Sequence, residues 1–506
     1  MRLEMKSNLV YSLWFIVYSL WFMACNLWLA VCFAYPPTKE AKPVFIKELS
    51  ITEVTKIALE ENLDIQIAKF DAYINRLDYD RANGIFDTFL NLEASFYDNQ
   101  KKSSSTFSGT KSIEESYGVS LEKKLPTGTD IKIETSQKRN WTNSSFSSVN
   151  PAYEAVAKVT LTQPIGKNFF GLVDRSRIKI TKLDIENSDW TSLDSIEESL
   201  ASAQKAYWKL VLKEEELTIQ QNMLKEAKDF YHIYTEKFKL GLAEEPDVYA
   251  SQANLKLKEF DVSLAQLQRQ TAKNDLLFVL NEEDTGIEIK PKDILDIFTQ
   301  RVDIYTSLSG AVGNRRDYKV ASNQVLSQKI DLVLKGNSLW PQIDLEASFA
   351  KNGLSNDYKT SWEGITGEDN PEVFLGITVR LPLENRVARS DYHESRQNMQ
   401  KYILNLKRTE RLIFKELNNQ VASLNSLSQR VRVYQEVVKL QEKKLKAEKK
   451  QFKSGRSSSD LIIRYENDLL GARLSLARSL FDYRLSLIDL DLAKNTLLSK
   501  YWQDEL

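Results

Sequence analysis

The chain has 506 residues, too long for one compact core, so it forms several domains or an extended assembly of elements. Its net charge is −1 with 27% charged residues, a balance that excludes the strongly basic surface of a nucleic-acid binder. The two cysteines, Cys25 and Cys32, and the two histidines, His232 and His393, offer little material for metal or thiol chemistry.

The N-terminus differs from everything that follows. Arg2 and Lys6 precede a long apolar run that ends at Ala34, and the chain then turns polar. A positive start, an apolar stretch and a small residue fit a signal peptide over residues 1–34. The run is long enough to serve as an uncleaved anchor, and Cys25 or Cys32 as a lipid-attachment site; both alternatives stay open. Cleavage at Ala34 leaves no cysteine and no disulfide framework. Beyond Ala34 no stretch is long and uncharged enough to be a transmembrane helix, so any later passage through a membrane requires a β-barrel.

A helix is predicted over 50–84. Ser50 and Glu53 form a capping box, with Leu49 and Val54 placed as a hydrophobic staple. Between 88 and 163 the period changes to two. Leu90, Leu92, Ala94 and Phe96 alternate with Asn91, Glu93, Ser95 and Tyr97, and Ala155, Ala157, Val159 and Leu161 alternate with Lys158, Thr160 and Thr162. Tyr117, Val119 and Leu121 alternate before a Pro126-Thr127-Gly128 turn, and Ile131 and Ile133 after it, predicting an additional hairpin flanked by exposed Ser/Asn-rich loops.

A long helical hairpin is predicted over 174–280. Apolar residues recur at heptad spacing through Leu193, Ile196, Leu200, Ala203, Tyr207 and Leu210. One position in seven then persists through Leu217, Leu224, Tyr231 and Phe238, while Glu214, Gln221 and Lys228 make the other seam polar, as on a helix with one face in water. Gly241 ends the first helix as a C-terminal cap. Residues 282–313 read as a linker.

The pattern then repeats. A helix is predicted over 317–336, strands over 342–350 and 372–382, and a helical hairpin over 387–498, with a tail at 499–506. The pentapeptide Leu92-Glu93-Ala94-Ser95-Phe96 recurs as Leu345-Glu346-Ala347-Ser348-Phe349, and Leu417, Leu424, Val431, Val438, Leu445 and Phe452 keep the heptad stride up to Gly455. The chain reads as internally duplicated. Each strand of about 10 residues with one apolar and one charged face has the length and alternation of a barrel strand. An ordinary antiparallel sheet with one face on a core fits the same alternation.

No motif for catalysis emerges, and the reading is that of a non-enzyme without cofactor or metal. The histidines sit alone in helical segments and no phosphate-binding loop is present.

A signal peptide, helix, strand pair and long helical hairpin, followed by the same set again, resemble the TolC-like outer membrane efflux protein family over about Leu49 to Leu498. The residues carrying the resemblance are LTQPIG and LPLENRVAR after the two strand pairs, and the hairpin tips KFKLGLAEEPDVYASQANL and QFKSGRSSSDLIIRYENDLL. The fold class implied is mixed α+β: a transmembrane antiparallel β-barrel shared by a homotrimer, over an α-barrel of long coiled-coil hairpins in the periplasm. Each subunit is expected to give four strands to a twelve-stranded barrel, and the hairpin near Tyr117 to Ile133 departs from that number. The middle of the chain, about Ile287 to Gly313, and the C-terminus are expected to form an equatorial collar. The implied function is that of an exit duct in the cell outer membrane, fed by an inner-membrane pump through a periplasmic adaptor. A structural coiled-coil envelope protein without a pore is the alternative.

The resemblance places adaptor docking at the tips, Leu240, Gly241 and Leu242 in the first and Ser454, Gly455 and Arg456 in the second. It makes Asp247 and Asp460 the candidate acids of an aperture, where capping of the following helices is the plainer role. Leu90, Leu92, Phe96, Leu345, Phe349, Leu375 and Ile377 are expected to face outer membrane lipid.

Overall fold

The computed structural model describes residues 48–101, 109–283, 286–296, 313–367, 369–454 and 456–501. The expected signal peptide, much of the expected collar and linker, the end of the tail and Gly455 lie outside the described residues. The chain divides into two units. The described part of the first is small, residues 48–49 and 286–290: it holds strand β1 (Glu48–Leu49) and Lys290, the first residue of its partner β6 (Lys290–Pro291), and Lys290 lies 3.9 Å from Glu48.

The second unit holds the remaining elements. Where one helix is expected over 50–84, there are two, α1 (Ile51–Glu61) and α2 (Leu63–Asn83). The break is at Asn62, whose backbone leaves the helical region (φ −63°, ψ 127°). Its side-chain oxygen accepts from the Ile65 amide at 3.0 Å, and its amide nitrogen donates to the Val279 carbonyl at 2.6 Å. An asparagine that caps one helix through a buried bond and ties to a distant carbonyl through a part-buried one wins over helix continuation. The capping box at Ser50 and Glu53 is formed.

Six strands form one antiparallel sheet in the order β2 (Thr88–Asn99), β3 (Ser112–Lys124), β4 (Asp130–Thr142), β5 (Ala152–Pro164), β7 (Gln342–Ser355) and β8 (Pro371–Arg380). The predicted additional hairpin is β3–β4, and it sits inside the sheet between β2 and β5. Its turn is anchored. The Gly128 amide donates to the Leu125 carbonyl at 2.8 Å, and a Cβ on Gly171 (φ +72°) would lie 2.2 Å from the Pro126 carbonyl oxygen, so only glycine allows this approach. Strand β7 runs to Ser355, beyond the expected 342–350, and a helix, α6 (Tyr358–Gly367), follows before β8.

Gly171 caps the long helix α3 (Leu172–Lys239), which turns back as α4 (Glu245–Val279). After α5 (Arg316–Asn337), the second hairpin comprises α7 (Arg386–Lys453) and α8 (Ser459–Ala493). Each long helix has 68 residues, about 100 Å at 1.5 Å per residue. The helices lie abreast, α3 and α8 adjacent and flanked by α4 and α7, while nearer the sheet α2 and α5 take the neighbouring places along α3 and α7.

A helix between two neighbours needs two apolar stripes, where one was expected. On α3, Leu217 packs with Val262 and Ala265 of α4, whereas Leu212, Ile219 and Met223 pack with Leu470 and Ala477 of α8. On α7, Leu417, Leu424 and Val431 pack against Leu480, Tyr483 and Leu490. Gln221 and Lys228 stand exposed, whereas Glu214 pairs with Arg269 of α4. Charge links the two hairpins: Arg478 lies 2.8 Å from the buried Glu216, and Lys449 lies 2.7 Å from Glu226.

Candidate functional site

Two places gather the residues singled out in the sequence: the two faces of the sheet, and the two hairpin tips.

The register settles the faces. Leu90 pairs with Leu121, Leu121 with Ile133, Ile133 with Val159, Val159 with Phe349, and Phe349 with Val373. Residues paired across strands share a face, so one apolar row crosses all six strands. Leu92, Val119, Ala157, Leu375, Ile377 and Val379 extend it up and down the strands. These side chains do not cover a core. Leu92 is 74% and Leu375 73% exposed, and Leu90, Phe96, Phe349 and Ile377 are also exposed, while Leu345 is half-buried. The seven residues expected to face lipid all lie on this face.

The opposite face carries Glu93, Ser95, Ser116, Ser120, Lys132, Glu134, Thr160 and Glu346. It is laced with ion pairs: Lys132 to Glu134 at 2.7 Å, Lys132 to Glu122 at 3.6 Å and Lys138 to Glu114 at 2.7 Å. On β3 the apolar positions Tyr117, Val119 and Leu121 are exposed, whereas Ser116, Gly118 and Ser120 between them are half-buried. Charge appears on the apolar face toward the loop end, where Arg139 meets Glu115 at 3.0 Å. There α6 covers Ala155, and Ser361 bonds Gln137 at 3.3 Å.

At the first tip α3 ends in a Schellman arrangement. The Gly241 amide donates to the Phe238 carbonyl at 2.9 Å and the Leu242 amide to the Lys237 carbonyl at 2.7 Å, with Gly241 at φ +70°. At the second tip the Arg456 amide donates to the Gln451 carbonyl at 3.0 Å, the equivalent long bond, around Ser454; Gly455 lies outside the described residues. Leu240, Gly241, Leu242, Ser454 and Arg456 are all exposed.

The two acids do not cap their helices. Glu244 occupies the cap position of α4, and Ser458 caps α8 by accepting from the Leu461 amide at 3.4 Å. Both acids sit inside the first turn, where the helix dipole favours negative charge. Asp460 is exposed and pairs with Arg464 one turn on, at 2.8 Å. Asp247 is half-buried and accepts a 2.5 Å hydrogen bond from Ser459 of the other tip.

The sequence reading missed what binds the tips together. Phe230 and Tyr234 of α3 pack on Phe452 of α7 and Ile462 of α8, with ring centroids 5.8 and 5.7 Å from Phe452. Lys237 lies 4.4 Å above the Phe452 ring. Burial pushes the Tyr234 hydroxyl up to about 12, with Ser459 as its hydrogen-bonding neighbour. The signal was available: Phe230, Tyr234 and Met223 are spaced for a second helical stripe beside the one read through Leu224, Tyr231 and Phe238.

His232 and His393 are both exposed. No helix among the described residues is long and apolar enough to cross a membrane.

No family model matches the chain and no curated protein matches it in sequence. Solved structures do match in fold. The CmeC outer membrane channel of Campylobacter jejuni is 14% identical, with a TM-score of 0.66 over 90% of this chain and 87% of that one. The open state of the MtrE outer membrane channel of Neisseria gonorrhoeae is 16% identical, at 0.65 over 90% and 91%. The outer membrane protein VceC of Vibrio cholerae is 14% identical, at 0.65 over 88% and 95%.

Proposed function

We propose that this chain, TolC-like and with the fold of the outer membrane channels, is the passive exit duct of a tripartite efflux or type I secretion system. The observation that carries the reading is the sheet. An exposed apolar band crosses all six strands, opposite a face of paired charges. Such a surface is stable only with hydrocarbon on one side and water on the other. The structural neighbours are channels rather than enzymes.

In this reading the protein sits in the cell outer membrane as a homotrimer, with the helical hairpins in the periplasm. Leu90, Leu92, Phe96, Leu345, Phe349, Leu375 and Ile377 meet lipid. The tips, Leu240, Gly241 and Leu242 with Ser454, Gly455 and Arg456, receive a periplasmic adaptor. An inner-membrane pump supplies substrate and energy. Asp247 and Asp460 lie near the aperture formed by the tips. The equal lengths of the paired helices, 68 residues for α3 and α7 and 35 for α4 and α8, support descent from a duplicated half.

Two measurements test this reading together: fractionation of cell envelopes, and conductance of the purified protein in a planar bilayer. Recovery in the outer membrane with discrete conductance steps is expected. Envelope recovery without conductance favours the structural coiled-coil alternative.

A further inference from the structure

We infer that the barrel takes six strands from each copy, so that β2 of one copy pairs with β8 of the next and the trimer proposed above closes at eighteen strands rather than twelve.

The sheet within one chain is open. Its order ends at β2 on one side and β8 on the other, with no strand beyond either among the described residues. Edge β2 has 12 residues, contains no proline and is exposed nearly throughout. Backbone amides and carbonyls left unpaired along such an edge cannot sit in hydrocarbon. Closure of six strands on themselves fails on size, since about 8 strands already fill a barrel interior with side chains.

A second copy of this chain fits the edges. All five strand pairings are antiparallel, so β8 runs opposite to β2, and β8 beside the next copy's β2 continues the alternation. The faces also continue. Leu90, Leu92 and Phe96 on β2 belong to the same apolar face as Val373, Leu375, Ile377 and Val379 on β8, and both groups are exposed. Joining the edges closes the apolar band without a gap.

The inserted hairpin is part of this wall rather than a loop on it. Strands β3 and β4 are 13 residues each, carry the apolar row through Leu121 and Ile133, and are anchored where Gly128 meets Gly171. Its presence also matches the helices below. Six strands spaced ~4.8 Å apart and tilted ~40° span roughly 38 Å of wall. Four helices abreast span roughly 32–40 Å at 8–10 Å between axes. The pore is incomplete in one copy, and each copy supplies one third of its lining.

The inference rests on the channel reading, and the test separates the two. Single cysteines at Leu90→Cys, Leu92→Cys and Ala94→Cys on β2 are each combined with Leu375→Cys on β8 in the full chain, and the membrane-inserted protein is oxidised. One register is expected to give a ladder of cross-linked dimer and trimer. In parallel, residues 100–151 are replaced by a two-residue turn, which joins β2 to β5 in antiparallel order with their apolar faces in phase. The largest polyethylene glycol admitted from the extracellular side is expected to shrink to roughly two thirds of its wild-type radius, because barrel diameter grows about linearly with strand number. The exclusion limit for graded polyethylene glycols added on the extracellular side alone, measured on the wild type, gives the width of the barrel mouth separately from the constriction at the tips and without any variant. An inserted, conducting trimer without β2–β8 cross-links overturns the inference and leaves the channel reading intact. So does a narrow exclusion limit in the wild type. If the shortened chain fails to insert, cross-linking and exclusion limit decide. A protein with no conductance and no oligomer overturns both.

Discussion

The Ser459 hydroxyl donates a 2.5 Å hydrogen bond to the Asp247 carboxylate, tying the first turn of α8 to the first turn of α4. The bond joins the two hairpin tips of the chain beside the Tyr234–Phe452 aromatic contact.

Removing either partner is predicted to loosen the tips without unfolding the long hairpins. A hydrogen bond to a charged group is worth about 1.5–3 kcal/mol when buried, and the half-exposed Asp247 places this one near or below the lower end. A double-mutant cycle of Ser459→Ala and Asp247→Asn, read by amide exchange at the tips, is expected to show coupling of about 1 kcal/mol. Channel conductance is expected to rise in both single variants. Strictly additive effects with unchanged conductance rule out the latch.

Gly241 is predicted to matter to docking more than to folding. A Cβ there would touch nothing within 4 Å, so Gly241→Ala costs only the left-handed backbone, about 1 kcal/mol. Gly241→Pro cannot adopt φ +70° and loses the amide that bonds Phe238, which reshapes the tip. Leu242 is 72% exposed, so Leu242→Asp leaves the isolated trimer as stable as before. Cross-linking to the adaptor is expected to fall sharply for Gly241→Pro and Leu242→Asp. Normal cross-linking and export in both would remove this tip from the docking surface.

The face assignment predicts asymmetric damage in the barrel. Leu92→Arg and Leu375→Arg place charge on the apolar face and are expected to cost about 2–4 kcal/mol near mid-membrane, read as lost inserted trimer. Glu346→Arg, on the polar face, is expected to insert normally. Equal loss from all three would contradict the assignment.

Acid is predicted to relieve one contact between the hairpins. Glu466 is 5% exposed and shares the Lys449 ammonium, 3.0 Å away, with Glu226. Burial outweighs that attraction and raises the Glu466 carboxyl above the ordinary value of 4.5. The folded state thus binds this proton more tightly than the unfolded chain, so the carboxyl's destabilising contribution is complete above its raised pKa. It fades as pH falls through that value and is gone below about 4.5. Glu466→Gln is expected to raise the unfolding temperature at pH 7 and to flatten its slope between pH 7 and 4.5. An unchanged slope would show that another group governs this range.

The sequence by itself determined what periodicity and local backbone chemistry carry. Alternation at Leu90 to Phe96 and at Tyr117 to Leu121 marks strands, because a side chain changes face at every residue. Gly241 marks a helix end and Ser50 a helix start, because capping is decided within a turn of chain. Tertiary structure alone decided which strands are neighbours: β3 and β4 lie inside the sheet because their apolar row meets Leu92 on one side and Val159 on the other. It also decided that α3 has two buried flanks, since a helix with two neighbours must satisfy both. Asn62 breaks a helix through a bond to Val279, and Asp247 leaves a capping role for a bond to Ser459. Both partners are over 200 residues away in sequence, and such contacts leave no trace in the spacing of either segment.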